Sequence, residues 1–436
     1  MDPPWSALLF AILAGSIICA NDKQLAYWSF RKVDVAKQAT RWYNATVKCL
    51  EAADFTAKYS LKSVQAIATL TVSAHTLGLS SKQAVLLACA TKIAQSLGIH
   101  RLSLEPSTDT ITSRSRDDDR KEVLERETCR RLWSQLCAQD WFSAPSNDGY
   151  SINPLFSTSI KPANRDFITM EIVPDHIPTY VSYGNYLYDI ARLLAGLQEA
   201  LALSHTLLSR YERVIEFDAE MRDLATKQRP IYFNVTEPVD PDWQDFVPWA
   251  RRSLTICFSH KIIMIHRQFL GRSFTNPTFA FSRQTCTAAA KTIINEAKQD
   301  NADGGPIIWI DQAFCASAAI VLVLDAKHQE LQNVRKAHLD LVRDCISYLS
   351  RFTHSVISTK GVRLLSLMLA IVTAQDIGVV ADRISAEGSD HGLISTARAM
   401  DPALAVEQLR AELSLDEVFP AHTGFPNAFI LEEFFG

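Results

Sequence analysis

Glu127-Thr128-Cys129-Arg130-Arg131-Leu132-Trp133-Ser134-Gln135-Leu136-Cys137-Ala138-Gln139-Asp140 contains neither glycine nor proline. On a helical wheel Cys129, Trp133, Leu136 and Asp140 fall on one side. Glu127 and Arg131 fall on the opposite side, and Arg130 flanks the apolar face. The stretch therefore reads as an amphipathic helix with a carboxylate set among apolar neighbours. Such a carboxylate is costly unless it is paired and hydrogen-bonded. The expected partner is an arginine, Arg101 or Arg130, so that Asp140 fixes the packing of this helix. The competing reading has Asp140 and Arg131 lining an effector pocket.

The same periodicity extends outward. Helices are expected over 3–20, 23–54, 61–77 and 82–97, with Gly78 at a C-cap position and Ser80 and Gln83 as a capping box. Leu86, Ala90, Ile93 and Leu97 form one apolar stripe, and Gly98 ends it. Residues 103–119 read as a solvated loop. From Arg120 the pattern resumes, with Lys121–Glu125, Glu122–Arg126 and Glu127–Arg131 each four residues apart. Residues 120–126 read as a solvated face. Two connections contain prolines, one from past Asp140 to about residue 180 and one from Pro230 to Pro248. Between and after them, helices are expected over 181–226, 249–270, 280–300, 307–330, 335–352 and 361–380. Only 15 glycines and 17 prolines occur in 436 residues, too little turn chemistry for a many-stranded fold. The expected fold is all-α, a multi-helix bundle or array with two long proline-containing loops.

Composition narrows function. Hydrophobic residues make up 47% of the chain, enough for a large core. The balance of 44 Lys and Arg against 48 Asp and Glu gives a net charge of −4, without the basic surplus of a domain that binds DNA alone. Nine cysteines lie singly with no CxxC pair, which points to reduced, buried thiols and not to a disulfide framework or zinc site. There is no Gly-x-Ser-x-Gly elbow, His-Glu-x-x-His pair or phosphate-cradling glycine loop, so no enzyme, metal or cofactor is expected. His100 and His266, each followed by arginine at the end of an apolar run, read as caps or ion-pair members.

Leu8 to Cys19 is apolar. Met1-Asp2-Pro3-Pro4-Trp5 before it carries an acid and no Lys or Arg, unlike the start of a secretory signal. The segment is also short of the roughly 20 apolar residues of a membrane span. Asp2 as N-cap with Pro3 and Pro4 in the first turn describes a core helix. At the other end, residues 413–436 mix Asp416, Glu417, Glu432 and Glu433 with Phe419, Phe425, Phe429, Phe434 and Phe435, without Lys or Arg. That composition suits either a transcriptional activation segment or a helix docked through its phenylalanines.

Several segments share an order with one known family. Leu87 to Arg101 closes Leu97-Gly98-Ile99-His100-Arg101. Glu127, Arg130, Arg131, Leu132, Trp133 and Asp140 follow, then Ile160-Lys161-Pro162-Ala163-Asn164-Arg165-Asp166. Further on come Ile265-His266-Arg267-Gln268-Phe269-Leu270 and Ser282 to Ile293 with Cys286, Ala288 and Ala289. The series, over roughly residues 60–300, resembles the middle homology region, the regulatory domain of the fungal zinc-cluster transcription factors. Asp148-Gly149-Tyr150-Ser151 stands where the family has Gly-Arg-Pro, and Gln268 replaces a proline. The family's six-cysteine zinc cluster is absent from these residues.

The resemblance implies a helical regulatory domain over 1–412, with a signature region at about 60–170, a second helical half at about 181–380 and the 413–436 tail. It implies a nuclear regulator of a fungal gene set, such as that of a metabolic or secondary-metabolite pathway. The chain would contact transcription machinery or a DNA-binding partner factor, and could sense a small-molecule effector. Independent sequence-specific DNA binding and membrane attachment are not expected. Arg101, Glu127, Arg130, Arg131, Trp133 and Asp140 are the expected signature residues, with an architectural role. The alternatives are an inhibitory or small-molecule-binding helical protein outside transcription and, behind it, a secreted helical enzyme.

Overall fold

The computed structural model describes residues 2–102, 116–147, 149–166, 168–299, 305–386 and 407–408. The 413–436 tail and most of the expected 103–119 loop lie outside the described residues. Among the described residues the fold is all-α: thirteen α-helices, with no extended pairing beyond one antiparallel bridge, Arg165 to Ile172. They form two compact units, residues 1–258 with 301–309, and residues 259–300 with 310–436. The expected second half, 181–380, is thus shared between both.

The first unit begins with α1 (Pro3–Cys19), which packs on α3 (Val35–Ala52) and α4 (Leu61–Ala74). Its buried face is mostly small, with Ser6, Ala7, Ala11, Ala14 and Gly15, which lets the backbones come close. A Cβ on Gly15 would lie 3.5 Å from Val72, in ordinary contact. The expected Asp2 cap is not made: its side chain pairs with Lys62 at 3.3 Å, while its carbonyl accepts from Ser6 Oγ. The helix expected over 23–54 is broken. Asn21 caps a short α2 (Asp22–Tyr27) with a reciprocal bond to Gln24, and positive φ at Ser29 leads to the turn before α3.

Gly78 takes φ +74° between α4 and α5 (Ser80–Ser96), as expected of a helix-ending glycine. The capping box does not form. Gln83 is fully buried and donates across to Ile67 O and Thr71 Oγ1 of α4 at 2.8 and 2.9 Å, while Ser80 Oγ meets His75 Nδ1. Local spacing could not reveal that the neighbouring helix offers Gln83 better partners than its own N-terminus. Leu86, Ala90 and Ile93 are buried, but Leu97 is 40% exposed because the chain turns away at Gly98.

The long α6 (Arg116–Asn147) packs along α7 (Tyr180–Ala202), which is followed by α8 (Leu207–Ala225). A helix expected over 181–226 therefore divides in two, with Thr206 and Ser209 making a capping box for the second. The core of this unit runs from Ala7, Tyr43, Ile67 and Leu70 through Ile93, Trp133, Leu136 and Trp141 to Ala195. The start of α9 (Val247–Leu270), up to Phe258, also belongs to this unit.

The second unit holds the rest of α9, α10 (Ala280–Lys298), α11 (Trp309–Lys327, from Ile310), α12 (Gln332–Leu349) and α13 (Val356–Ala386). By length and composition α11 could cross a membrane, yet 94% of its apolar window is buried. That burial describes a central core helix. α12 packs against α10 and α13.

Candidate functional site

The signature segments of the first unit meet around α6. Gly98, at φ +77°, closes α5 and lets Ile99–Arg101 form a 3-10 turn. There His100 lies beside Trp133, with ring centroids 5.7 Å apart. The His100 carbonyl accepts from the amides of Thr158 and Ser159, both at 3.0 Å, and Trp133 Nε1 donates to Ser157 Oγ at 2.7 Å. Burial beside Trp133 and the charge of Arg101 lower the His100 pKa. One aromatic contact and a short run of backbone thus join three segments that are distant in sequence.

Arg130 and Glu127 form a buried ion pair, each side chain 1% exposed, with Nη1 to Oε1 at 2.6 Å. The other Glu127 oxygen accepts from the Ala163 amide at 3.0 Å. Glu127 is therefore not on a solvated face opposite the core, as the wheel suggests. A second buried face along α6 carries Arg130, Ser134, Cys137 and Trp141, and Glu127 lies on it. Residues 120–125 do remain largely exposed.

The expected arginine partner of Asp140 is contradicted. Its oxygens accept from the amides of Ser151, at 3.0 and 2.9 Å, and Ile152, at 2.6 Å, while Arg130 is held by Glu127 and Arg101 is exposed. Burial raises the Asp140 carboxyl above its usual range, and the bonds to Ile152 and Ser151 work against that rise. Backbone amides can satisfy a carboxylate whatever side chains they carry, so a wheel gives no sign of them. Trp141 Nε1 donates to Ile152 O at 2.8 Å in the same corner.

The 162–179 connection is fastened by several side chains, Asn164 above all. Asn164 Nδ2 donates to Val173 O, Pro174 O and Ile177 O, at 3.3, 3.2 and 3.0 Å. Its Oδ1 accepts from the hydroxyls of Thr179 and Ser182 at the start of α7. Asn185 Nδ2 holds Pro162 O at 2.9 Å, Arg165 Nη1 holds Met170 O at 2.8 Å, and Arg120 bonds Ile168 O.

Between this connection, α6 and the first turns of α7 is a cleft of about 520 Å³. Its charged lining is Arg131, Arg165 and Asp166, and its apolar wall includes Ala138, Val173, Ile177 and Leu187. Desolvation and the nearby Arg165 push the Arg131 guanidinium below its ordinary value, against the raising effect of Glu127. Asp166 Oδ1 accepts from the Ile168 and Thr169 amides, which lowers its pKa. Of the two residues expected in an effector pocket, Arg131 lines this cleft and Asp140 does not. Arg165 was legible as part of the 160–166 signature turn and Asn185 only as a helix residue, since nothing local shows that they share a cleft with Arg131.

In the second unit, His266 Nδ1 and Ser282 Oγ meet at 2.9 Å, joining the two later matched segments. Asp325, on the core helix α11, receives Arg283 Nε at 2.6 Å and has His338 Nδ1 at 2.9 Å. Burial works to raise its carboxyl, but His338 and Arg283 outweigh it and hold the pKa below the ordinary value. Among the described residues no three His, Cys, Asp or Glu side chains gather as a metal site.

No family model matches the chain. It is 24% identical over 310 residues to the "Agnestins biosynthesis cluster transcription factor AgnL11" of Paecilomyces divaricatus, covering 67% of this chain and 43% of that protein. It is 23% identical over 277 residues to the "Probable transcription factor lepB" of Aspergillus flavus, covering 59% of this chain and 48% of that protein. Both similarities are distant, and both are to proteins named as fungal transcription factors. The chain spans about half the length of the curated relatives it matches.

Proposed function

We propose that this chain is a nuclear regulatory domain that controls a fungal gene set, with secondary metabolism the pathway class suggested by the relative from a biosynthesis cluster. The reading is supported above all by the joining of Gly98–Arg101, Trp133 and the 157–164 segment around α6, within residues that also carry the ordered signature. In it, Glu127, Arg130, Trp133 and Asp140 are architectural: they fix α6 against its neighbours and against the connection to α7. Arg101, also a signature residue, is exposed beside His100. With a net charge of −4, residues 1–436 act on promoters through protein contacts, and sequence-specific DNA contact comes from a DNA-binding partner or segment outside them.

A tethering assay tests this. Residues 1–436 are fused to an unrelated DNA-binding domain and a reporter is read with and without residues 413–436. Reporter output that falls when 413–436 is removed supports an activator. A nuclear fusion that neither raises nor lowers the reporter overturns the transcriptional reading. The second reading, a small-molecule-binding helical protein, is favoured by the cleft lined by Arg131 and Arg165. Effector sensing is compatible with both readings.

A further inference from the structure

We propose that the cleft between α6, the 162–179 connection and the first turns of α7 binds an apolar small molecule carrying a single negative charge, a carboxylate or its equivalent. This rests on the effector reading above and adds the chemistry of the ligand.

The cavity, about 520 Å³, falls in the range of roughly 300–1,000 Å³ that takes drug-sized ligands. Its charged lining is two guanidinium groups, Arg131 from α6 and Arg165 from the connection, against one carboxylate, Asp166. One net positive charge on a half-buried wall attracts a monoanion, and the Asp166 carboxylate disfavours a multiply charged phosphate. Val173, Ile177, Ala138 and Leu187, which also line the cleft, offer an apolar surface for the body of the ligand. Asn164, with its five bonds to the connection and to α7, holds that wall in place before anything binds.

Gly184 gives an independent indication. It lies inside α7 and lines the cleft, and a Cβ built on it meets no atom within 4 Å. Its φ lies outside the left-handed region, so neither backbone geometry nor a close neighbour requires glycine. Mid-helix glycine nonetheless costs about 0.5–1 kcal/mol relative to alanine. A side chain here would project into the cleft, so the glycine keeps the space open at a cost to the helix.

The test uses the purified full chain with benzoate, 2-naphthoate and the uncharged isostere 2-naphthamide, read by calorimetric titration and by thermal unfolding. A charge-assisted contact predicts that 2-naphthoate binds about ten-fold or more tightly than the amide. Arg131→Met should bring the two within about two-fold of each other. Gly184→Leu should bind neither, while its ligand-free unfolding midpoint is no lower than that of the wild type. Equal affinity of acid and amide for the wild type overturns the anion inference and leaves an effector cleft standing. No binding of any of the probes overturns the cleft as a ligand site. Unchanged binding to Gly184→Leu also overturns it, by placing the ligand elsewhere. Because binding is read on the purified chain, each of these outcomes is separate from that of the reporter assay.

Discussion

Glu127 and Arg130 lie one turn apart on α6, and both are closed off from solvent. Removing one partner of such a pair strands the other charge, at a cost of roughly 3–5 kcal/mol. Glu127→Ala should therefore lower stability by about that amount, read as a shift in the urea unfolding midpoint, since it also leaves the Ala163 amide without its acceptor. The double change Glu127→Gln with Arg130→Met removes both charges and should recover most of the loss. A double variant as unstable as Glu127→Ala would show that the pair's charge is not what matters. Asp140 behaves differently, since its partners are amides that remain when it is replaced. Asp140→Ala should cost about 1.5–3 kcal/mol by leaving the Ser151 and Ile152 N–H groups without their charged acceptor. The Asp140 carboxyl is raised in the fold, so protonation is favoured there, and its contribution to stability declines as pH rises through its folded pKa.

At the scale of elements, two glycines should respond in opposite directions. Gly98 sits at φ +77° and turns the chain from α5 toward Trp133. An alanine there must adopt a left-handed conformation, at a cost of roughly 1–2 kcal/mol. Gly98→Ala should therefore lower the thermal unfolding midpoint even though its Cβ has open space. Gly184 has the same open space without the backbone requirement, and Gly184→Ala should stabilise α7 by about 0.5–1 kcal/mol. If both substitutions moved the midpoint in the same direction, the distinction between a turn glycine and a cleft glycine would fail. α1 and α11 show how an apolar helix is sorted by its surroundings. α1 places alanines and a glycine against α3 and α4, and α11 is enclosed along nearly its whole length.

For the molecule as a whole, response to acid should reflect Asp325, a buried carboxylate with a depressed pKa. Asp325 is held below its ordinary value by His338 and Arg283, against the opposing effect of burial. A depressed carboxyl contributes stability above its unfolded pKa of about 3.9, and that contribution is lost as pH falls through the folded value. The unfolding midpoint should thus drop steeply below about pH 4. Asp325→Asn should be less stable near pH 7, by roughly 3 kcal/mol, with a flatter acid limb. Parallel acid limbs in the wild type and the variant would exclude Asp325 as the group responsible.

The sequence by itself determined the helical class, the two long proline-containing connections and most helix positions, because these depend on local periodicity and on Gly78 and Gly98. It also brought Glu127, Arg130, Trp133 and Asp140 forward as signature residues. Their partners were decided only by tertiary structure. Asp140 is satisfied by backbone amides eleven and twelve residues on. Gln83 turns from its own helix end to α4, and Arg131 shares a cleft with Arg165 and Gly184. A helical wheel records the direction of a side chain about its own axis, whereas hydrogen bonding and charge pairing depend on what the neighbouring elements present there. Those neighbours are set by the packing of the entire chain, which is why the helices were legible and the site was not.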